Sequence, residues 1–221
     1  MGRRAVSRTH DIMRPAAGKR LNFCAAKGAR VSVGKASIRR ARDASAGKRS
    51  SSQTVFRGKV FSVARHSVIE PGGVAVVRDV VHHKGSAVIL PVLEDGRVVL
   101  IRQFRLAAGR LLWELPAGSL DRGEKPLVGA RRELAEETGY RASSWRKLVE
   151  FFPSPGILDE RMTLFLARNV RPGEAFPESD ERIEVRRFGT RQWEAMIGSG
   201  QIRDGKTLVG LLYWKWINSG G

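Results

Sequence analysis

Short stretches of apolar and β-branched residues recur along the middle of the chain and predict a series of β-strands. Residues 55–68 and 74–81 are rich in valine, and a Glu-Pro-Gly-Gly turn sequence at 70–73 separates them. Residues 87–92 are continuously apolar, which is typical of a strand buried on both faces. Asp95-Gly96 predicts a tight hairpin, because glycine tolerates the positive φ that such a turn requires. Further strands are predicted at residues 98–101, 111–115, 148–152, 162–167 and 183–188.

One helix with a clear apolar stripe follows these strands. Pro126 suits the first turn of this helix, and Gly139 is a suitable C-terminal cap. Between them, Leu127, Ala130 and Leu134 form the stripe. Two further helices are predicted at residues 191–197 and 207–217. Strands grouped around one central helix and one terminal helix predict a layered α+β domain and not a doubly wound sheet.

Charge divides the chain into two parts. The formal net charge is +18, but residues 1–52 hold 14 lysines and arginines against only Asp11 and Asp43. Because this segment lacks the periodicity of a core-forming element, we predict a basic disordered tail over residues 1–52. The composition leaves open a nucleic-acid or membrane-surface tail, a transit peptide, a solubilising extension and a wrongly assigned start codon. Nucleic-acid binding is therefore expected only through the tail.

The rest of the chain is predicted to form a small β subdomain at residues 53–85 and a main domain at residues 86–221. No apolar run is long enough to cross a bilayer, so we expect a soluble protein without a membrane partner. We predict a cytoplasmic location, or import into an organelle if the tail is a transit peptide. The single cysteine, Cys24, excludes an internal disulfide.

Three carboxylates share one face of the central helix. Glu133, Glu136 and Glu137 are spaced i, i+3, i+4, so their like charges repel one another and destabilise the helix. A hard divalent cation such as Mg²⁺ would offset this repulsion, because it binds oxygen ligands and shares its shell with a substrate phosphate. The alternative is a solvated acidic face that is paired with Arg131 and Arg132.

The residues around these carboxylates resemble the Nudix box. The family pattern is G-x5-E-x7-R-E-U-x-E-E-x-G-U, in which U is apolar, and the chain matches it from Gly118 to Tyr140. The fixed residues are Gly118, Glu124, Arg132, Glu133, Glu136, Glu137 and Gly139. The resemblance implies the Nudix fold, with mixed β-sheets sandwiched between helices and, in this chain, a small N-terminal antiparallel sheet. It also implies hydrolysis of a nucleoside diphosphate linked to another moiety.

The same resemblance assigns roles to the box residues. Glu133 and Glu137 look like the main ligands of Mg²⁺ or Mn²⁺, with Glu136 as a further ligand or an outer-shell group. The carbonyl of Ala117, just before the box glycine, is expected to join the metal shell. Arg132 would orient the carboxylates through charge-assisted hydrogen bonds. Arg132 and Glu137 are therefore expected to be catalytic.

Glu124 has an alternative interpretation, because a carboxylate at the start of a helix is also favoured by the helix dipole.

Residues outside the box resemble the ADP-ribose pyrophosphatase branch of the family. Gln103-Phe104-Arg105 precedes Trp-Glu-Leu-Pro-Ala-Gly at 113–118, and Pro155 lies 16 residues after Gly139. The likeness implies cleavage of ADP-ribose to AMP and ribose 5-phosphate, with GDP-mannose or another nucleoside diphosphate derivative as the alternative. Arg105 is the candidate for binding a substrate phosphate, because its planar fork suits bidentate contacts.

The likeness also assigns roles to the acidic loop at residues 174–184. Glu181 is expected to be an extra metal ligand and Glu178 the base that activates water. A solvated acidic loop without a catalytic role is the alternative.

Finally, the resemblance implies a homodimer in which residues 56–81 cross to the partner's substrate pocket. Arg78 and Asp79 match an arginine–acid pair that contacts substrate. Phe61 matches an aromatic residue that stacks on the base, although a plain core role is the alternative.

Overall fold

The first three strands form an antiparallel sheet of their own. In the computed structural model, which describes residues 48–173 and 182–220, they are β1 (Lys48–Arg57), β2 (Phe61–Ile69) and β3 (Ala75–His83). They pair in the order β1-β2-β3. The sequence predicted a single stretch over residues 55–68, but the chain turns at Gly58, whose N–H donates to the Phe61 carbonyl at 2.9 Å.

β1 begins earlier than the composition indicated. Its first residue, Lys48, lies inside the segment 1–52 that was predicted to be a tail. Arg49 pairs with Val68 of β2, so the backbone of this polar stretch satisfies its hydrogen bonds in a ladder without supplying apolar side chains. Residues 1–47 lie outside the described part of the chain, and the tail over those residues stays a prediction.

Two further sheets carry the rest of the fold. Their strands are β4 (Ser86–Pro91), β5 (Val98–Arg105), β6 (Arg110–Glu114), β7 (Ala117–Ser119), β8 (Tyr140–Phe151), β9 (Met162–Pro172) and β10 (Glu184–Phe188). One sheet has the order β10-β5-β6 and is antiparallel, and the other has the order β7-β4-β9-β8. The second sheet is mixed, because β4 and β9 run parallel while its other pairs are antiparallel.

Helices cover the central strand β4 on both faces. They are α1 (Pro126–Thr138), α2 (Thr190–Gly198) and α3 (Gly205–Asn218). Ile89 packs in one apolar cluster with Leu134 of α1. Its neighbour Leu90 points to the other face and packs in a second cluster with Trp193 of α2 and Leu211 of α3. The predicted α+β fold, with mixed sheets sandwiched between helices, is confirmed.

α1 begins and ends where the sequence predicted. Pro126 occupies the first turn, and Gly139 follows the helix with a φ of 70°, a left-handed conformation that favours glycine. None of the helices in the described residues is long and apolar enough to cross a membrane.

The prediction for β8 was too short. The sequence indicated a strand only at residues 148–152, whereas β8 runs from Tyr140 to Phe151. β8 is an edge strand of its sheet, and its first half exposes most of its polar side chains. An edge strand with little burial gives a weak hydrophobic pattern, and its backbone pairing with β9 is decided by tertiary structure.

We predict that Gly210→Ala destabilises the fold. A Cβ at Gly210 of α3 would lie 2.3 Å from a methyl group of Leu115, which is fully buried and has no free space to move into. Overpacking of this kind costs about 1–3 kcal/mol, to be measured as the free energy of unfolding in urea. Gly205→Ala is the matched control on the same helix, because nothing lies within 4 Å of the position that its added Cβ would take. Equal unfolding midpoints for the two variants would contradict the prediction.

Candidate active site

The carboxylates of α1 face the short strand β7. Glu137 is 6% exposed, and its Oε2 accepts a hydrogen bond from the backbone N–H of Ala117 at 2.9 Å. The carboxylate of Glu133 lies directly against Gly118. Helix periodicity places these side chains on one face, and the core contacts of α1 with β4 hold that face next to β7.

Arg132 holds three of the box carboxylates together. Its Nη1 donates to Glu133 Oε1 at 2.7 Å and to Glu136 Oε2 at 2.9 Å. Its Nε and Nη2 donate to the two carboxylate oxygens of Glu124 at 3.2 and 3.1 Å. These bonds, first of all those to Glu124, raise the pKa of Arg132 and lower the pKa of Glu124. The guanidinium thereby offsets the repulsion that the spacing of the carboxylates creates.

Glu124 therefore has a specific partner in addition to its place before the helix. It also accepts a hydrogen bond from the N–H of Asp121 at 3.0 Å. Since Arg132 Nη2 contacts the Ser119 carbonyl at 3.3 Å, the loop between β7 and α1 is tied to the helix at both of its ends.

Seven of the predicted site residues meet in one cleft of about 730 Å³. From the sequence prediction, the cleft contains Arg105, Ala117, Gly118, Arg132, Glu133, Glu136 and Glu137. Lys59, Lys84, Ser86, Glu160 and Lys206 also line it, and the sequence analysis did not single them out. The cleft thus has an acidic wall on α1 and cationic side chains on its other sides, a division that suits a polyanion bound together with cations.

Arg105 is held by a buried carboxylate. Its Nε and Nη2 each donate to one oxygen of Glu114 at 2.8 Å, and Lys206 Nζ lies 2.5 Å from Glu114 Oε2. Burial alone would raise the pKa of Glu114, but the hydrogen bonds from Arg105 and the charge of Lys206 outweigh it and lower this pKa. In this structure Arg105 makes its bidentate contact to Glu114 and not to a phosphate. Of its three guanidinium nitrogens, Nη1 has no hydrogen-bond partner among the described residues.

The same network reaches the start of α3. Lys206 also pairs with Asp204 at 3.1 Å, and Asp204 caps the helix by accepting hydrogen bonds from Thr207. Thr207 Oγ1 in turn accepts a hydrogen bond from the N–H of Leu115 at 2.7 Å. The positions of Arg105 on β5 and of the strand that leads into the box thus both depend on α3.

A further buried carboxylate, Glu160, reaches the cleft from the loop before β9. It is 8% exposed and accepts a hydrogen bond from Ser86 Oγ at 2.5 Å. The loop is fixed by β3, because Val81 N–H donates to the Ile157 carbonyl and Asp159 N–H donates back to the Val81 carbonyl. Nothing in the sequence indicated that Glu160 is buried or that it lies at the cleft.

Three predicted substrate contacts lie away from this cleft in the single chain. Arg78 pairs with Glu70 at 2.9 Å, and Asp79 accepts two 2.8 Å hydrogen bonds from Arg65. The ring of Phe61 stands against Phe56, 5.6 Å between centroids. The sequence assigned Arg78, Asp79 and Phe61 to the pocket of a partner subunit, and that assignment stays a prediction.

Glu178 and Glu181 lie outside the described residues, so their roles also stay predictions.

The donor set suits a hard divalent cation. The groups at the cleft wall are carboxylate oxygens and the Ala117 backbone, the ligand type that such cations prefer. Among the described residues, no three acidic or histidine side chains are placed to hold a metal alone, and Arg132 engages oxygens of Glu133 and Glu136. A divalent cation that keeps some of its bound water molecules and binds oxygens of the substrate needs fewer protein ligands. The carboxylates present are therefore sufficient for such a cation.

The family follows from a match that spans this site. A NUDIX domain model matches residues 82–204, which include the cleft residues of α1, β4, β5 and β7. This chain belongs to the Nudix family. It is a Nudix pyrophosphohydrolase, and enzymes of the family depend on a divalent metal.

Several curated relatives match more than half of this chain. The ADP-ribose pyrophosphatase of Bacillus subtilis (strain 168) is 36% identical over 73% of this chain and 88% of its own length. The ADP-ribose pyrophosphatase of Mycobacterium tuberculosis (strain ATCC 25618 / H37Rv) is 43% identical over 55% of this chain and 59% of its own. The GDP-mannose pyrophosphatase of Citrobacter koseri (strain ATCC BAA-895 / CDC 4225-83 / SGSC4696) is 40% identical over 61% of this chain and 79% of its own length.

A solved structure shares the Nudix fold. The crystal structure of an ADP compounds hydrolase superposes with a TM-score of 0.68 at 20% identity, covering 79% of this chain and 96% of that one.

We predict that Gly118→Ala abolishes most of the turnover while the fold survives. An added Cβ would lie 1.9–2.4 Å from the atoms of the Glu133 carboxylate, so this carboxylate would have to move away from the site. A displacement of about 1 Å in a catalytic group lowers turnover about 100-fold. Steady-state kinetics would measure the loss, and circular dichroism would check the fold. Gly198→Ala on α2 is the control, since its Cβ meets nothing within 4 Å; equal turnover in both variants would refute the prediction.

Proposed function

We propose that this Nudix enzyme hydrolyses the pyrophosphate bond of ADP-ribose to AMP and ribose 5-phosphate, with Mg²⁺ as its metal. The cleft itself carries the proposal, because the Nudix carboxylates line it together with the cationic side chains of Arg105, Lys84 and Lys206. The relative with the widest coverage among those described above is named an ADP-ribose pyrophosphatase and matches 88% of its own length.

Each wall of the cleft has a part in the reaction. Glu133, Glu136 and Glu137 would hold the metal, which lowers the pKa of a bound water and neutralises charge that builds up on the phosphates. Arg132 orients Glu133 and Glu136 through its hydrogen bonds, and the backbone N–H of Ala117 orients Glu137. Arg105, fixed by Glu114, would offer Nη1 to a phosphate oxygen.

The base that activates water is proposed from the sequence alone. Glu178 takes this role, and Glu181 acts as an additional metal ligand. Both belong to the acidic loop before β10, and a polar loop between strands is a common place for a catalytic lid.

A second candidate substrate is GDP-mannose or another nucleoside diphosphate sugar. A named GDP-mannose pyrophosphatase matches 61% of this chain at 40% identity, which favours this alternative over any unrelated activity. The α1 carboxylates would act in the same way on both substrates, because they address the shared pyrophosphate. The choice between bases and sugars depends on the other walls of the cleft.

We further propose that the active form is a homodimer in the cytoplasm. The sheet β1-β2-β3 exposes large apolar side chains, including Phe56 at 51%, Phe61 at 43% and Val77 at 58%. A small sheet with an exposed apolar face gains stability when a second surface covers it. A second copy of the chain supplies such a surface and would bring Phe61 and Arg78 to the pocket of its partner.

The substrate proposal predicts a specific product pattern. With Mg²⁺ in ¹⁸O-labelled water, ADP-ribose should give AMP and ribose 5-phosphate, and only one of the two should carry the label, because a single P–O bond breaks. Mass spectrometry would measure the products against a panel of nucleotide sugars, dinucleotides and capped RNA. Glu137→Gln is the control that must lose the activity. Turnover of GDP-mannose with ADP-ribose untouched would make the alternative substrate correct.

The homodimer proposal predicts complementation between two inactive variants. A Glu137→Gln subunit mixed with a Phe61→Ala/Arg78→Ala subunit should regain part of the wild-type turnover, because one pocket of each mixed dimer would be intact. Analytical ultracentrifugation would confirm that mixed dimers form. A fully active monomer, or mixed dimers without recovered turnover, would refute the proposal.

A further inference from the structure

A second cleft, of about 480 Å³, lies against β5, β6 and β10. Four arginines line it: Arg102, Arg110, Arg186 and Arg203. Trp113 and Phe188 form an aromatic floor, with their rings edge to face at 5.0 Å between centroids. None of the residues that line this arginine cleft lines the catalytic cleft.

The aromatic floor of the arginine cleft and the Arg105–Glu114 pair lie on opposite faces of one sheet. On β6, Trp113 stands opposite Arg102 of β5, and the next residue, Glu114, stands opposite Ile101. Because side chains alternate along a strand, Arg102 and Trp113 project to one face, while Arg105 and Glu114 project to the other. A ligand on Arg102 and Trp113 would therefore be separated from Arg105 by the thickness of the sheet. Arg110 pairs with Arg105 across the two strands, so it borders the arginine cleft from the first residue of the edge strand β6.

The arginines outnumber the carboxylates available to them. Arg186 pairs with Glu184 at 2.5 Å, and Arg102 lies 3.7 Å from the same carboxylate. Across the part of the chain that the structure describes, neither Arg110 nor Arg203 makes an ion pair, although Arg203 Nε donates to the Gly200 carbonyl at 2.5 Å. Within residues 48–173 and 182–220, the four guanidinium groups thus share one carboxylate. Their mutual repulsion destabilises the empty cleft and favours an anion in it.

The aromatic floor holds two of the guanidinium groups in place. Arg102 and Arg186 lie over the ring of Trp113, 5.6 and 5.8 Å from its centroid. Stacking on an aromatic face fixes the plane of a guanidinium and leaves its N–H groups free to bind in that plane. Pre-oriented arginines of this kind suit the paired oxygens of a phosphate group.

We propose that the arginine cleft binds a small phosphorylated ligand, independently of the catalytic cleft. Arginine supplies every cation of the cleft, and its fork matches phosphate bidentately, which a lysine does not do. The surplus positive charge suits a ligand that carries two or more negative charges. Trp113 and Phe188 offer an apolar surface to the organic part of a phosphate ester.

The test is calorimetric titration of the full-length protein with pyrophosphate and with AMP, in EDTA so that no metal recruits the anion to the catalytic carboxylates. Arg110→Ala/Arg203→Ala should weaken binding about tenfold or more and leave turnover unchanged. Arg146→Ala/Arg171→Ala is the matched control, because it removes the same charge from two exposed positions on β8 and β9. The basic segment 1–52 is present in both variants, so any contribution from it cancels.

Three results would overturn the proposal. If both double variants lose binding equally, the loss comes from the lower net charge of the protein and not from the arginine cleft. A fall in turnover of Arg110→Ala/Arg203→Ala with an unchanged fold would place these arginines in the reaction itself. Tighter binding of citrate than of pyrophosphate would assign the cleft to carboxylates. Binding of AMP tighter than that of pyrophosphate would identify a nucleotide as the phosphorylated ligand, whereas the reverse order would identify a simple polyphosphate.

Discussion

The hydrogen bonds of a single guanidinium make the acidic face of α1 compatible with a folded helix. Arg132 bonds Glu133 and Glu136 on its own helix, and it bonds Glu124 and the Ser119 carbonyl in the segment before the helix. Without these bonds the carboxylates would repel one another, and the loop that connects β7 to α1 would lose its ties to the helix. The arginine therefore serves stability and geometry at once, because the bonds that neutralise the helix face also set the distance between helix and strand.

Gly118 has a matching role on the strand side. The Glu133 carboxylate occupies the space where any other residue would carry a Cβ, so helix and strand approach more closely than ordinary packing allows. The close approach lets Ala117 N–H reach Glu137 and keeps that carboxylate largely out of solvent. Two residues, one charged and one without a side chain, thus determine where the oxygens of the box carboxylates lie.

Local patterns were sufficient to predict α1 and the central strand. The limits of the helix follow from Pro126 and Gly139, and β4 follows from its continuous apolar run. The Nudix carboxylates were predictable because helix periodicity alone places them on one face. The setting of Arg105 was not predictable, since its partner Glu114 is also bonded to Lys206, 92 positions further along the chain, which no local spacing encodes. β7 and the first half of β8 were missed because they are stabilised by pairing with neighbouring strands more than by their own burial.

The bond between Lys206 and Glu114 has a consequence for how the enzyme comes into being. α1 and its carboxylates precede α3 in the chain, so the ribosome adds every residue of the acidic face before it adds Lys206. Glu114, which holds Arg105, has its second cation only after Lys206 has been translated and docked. A chain truncated before α3 would therefore keep every residue of the Nudix box and still lack one of the two cations that fix the carboxylate beneath Arg105.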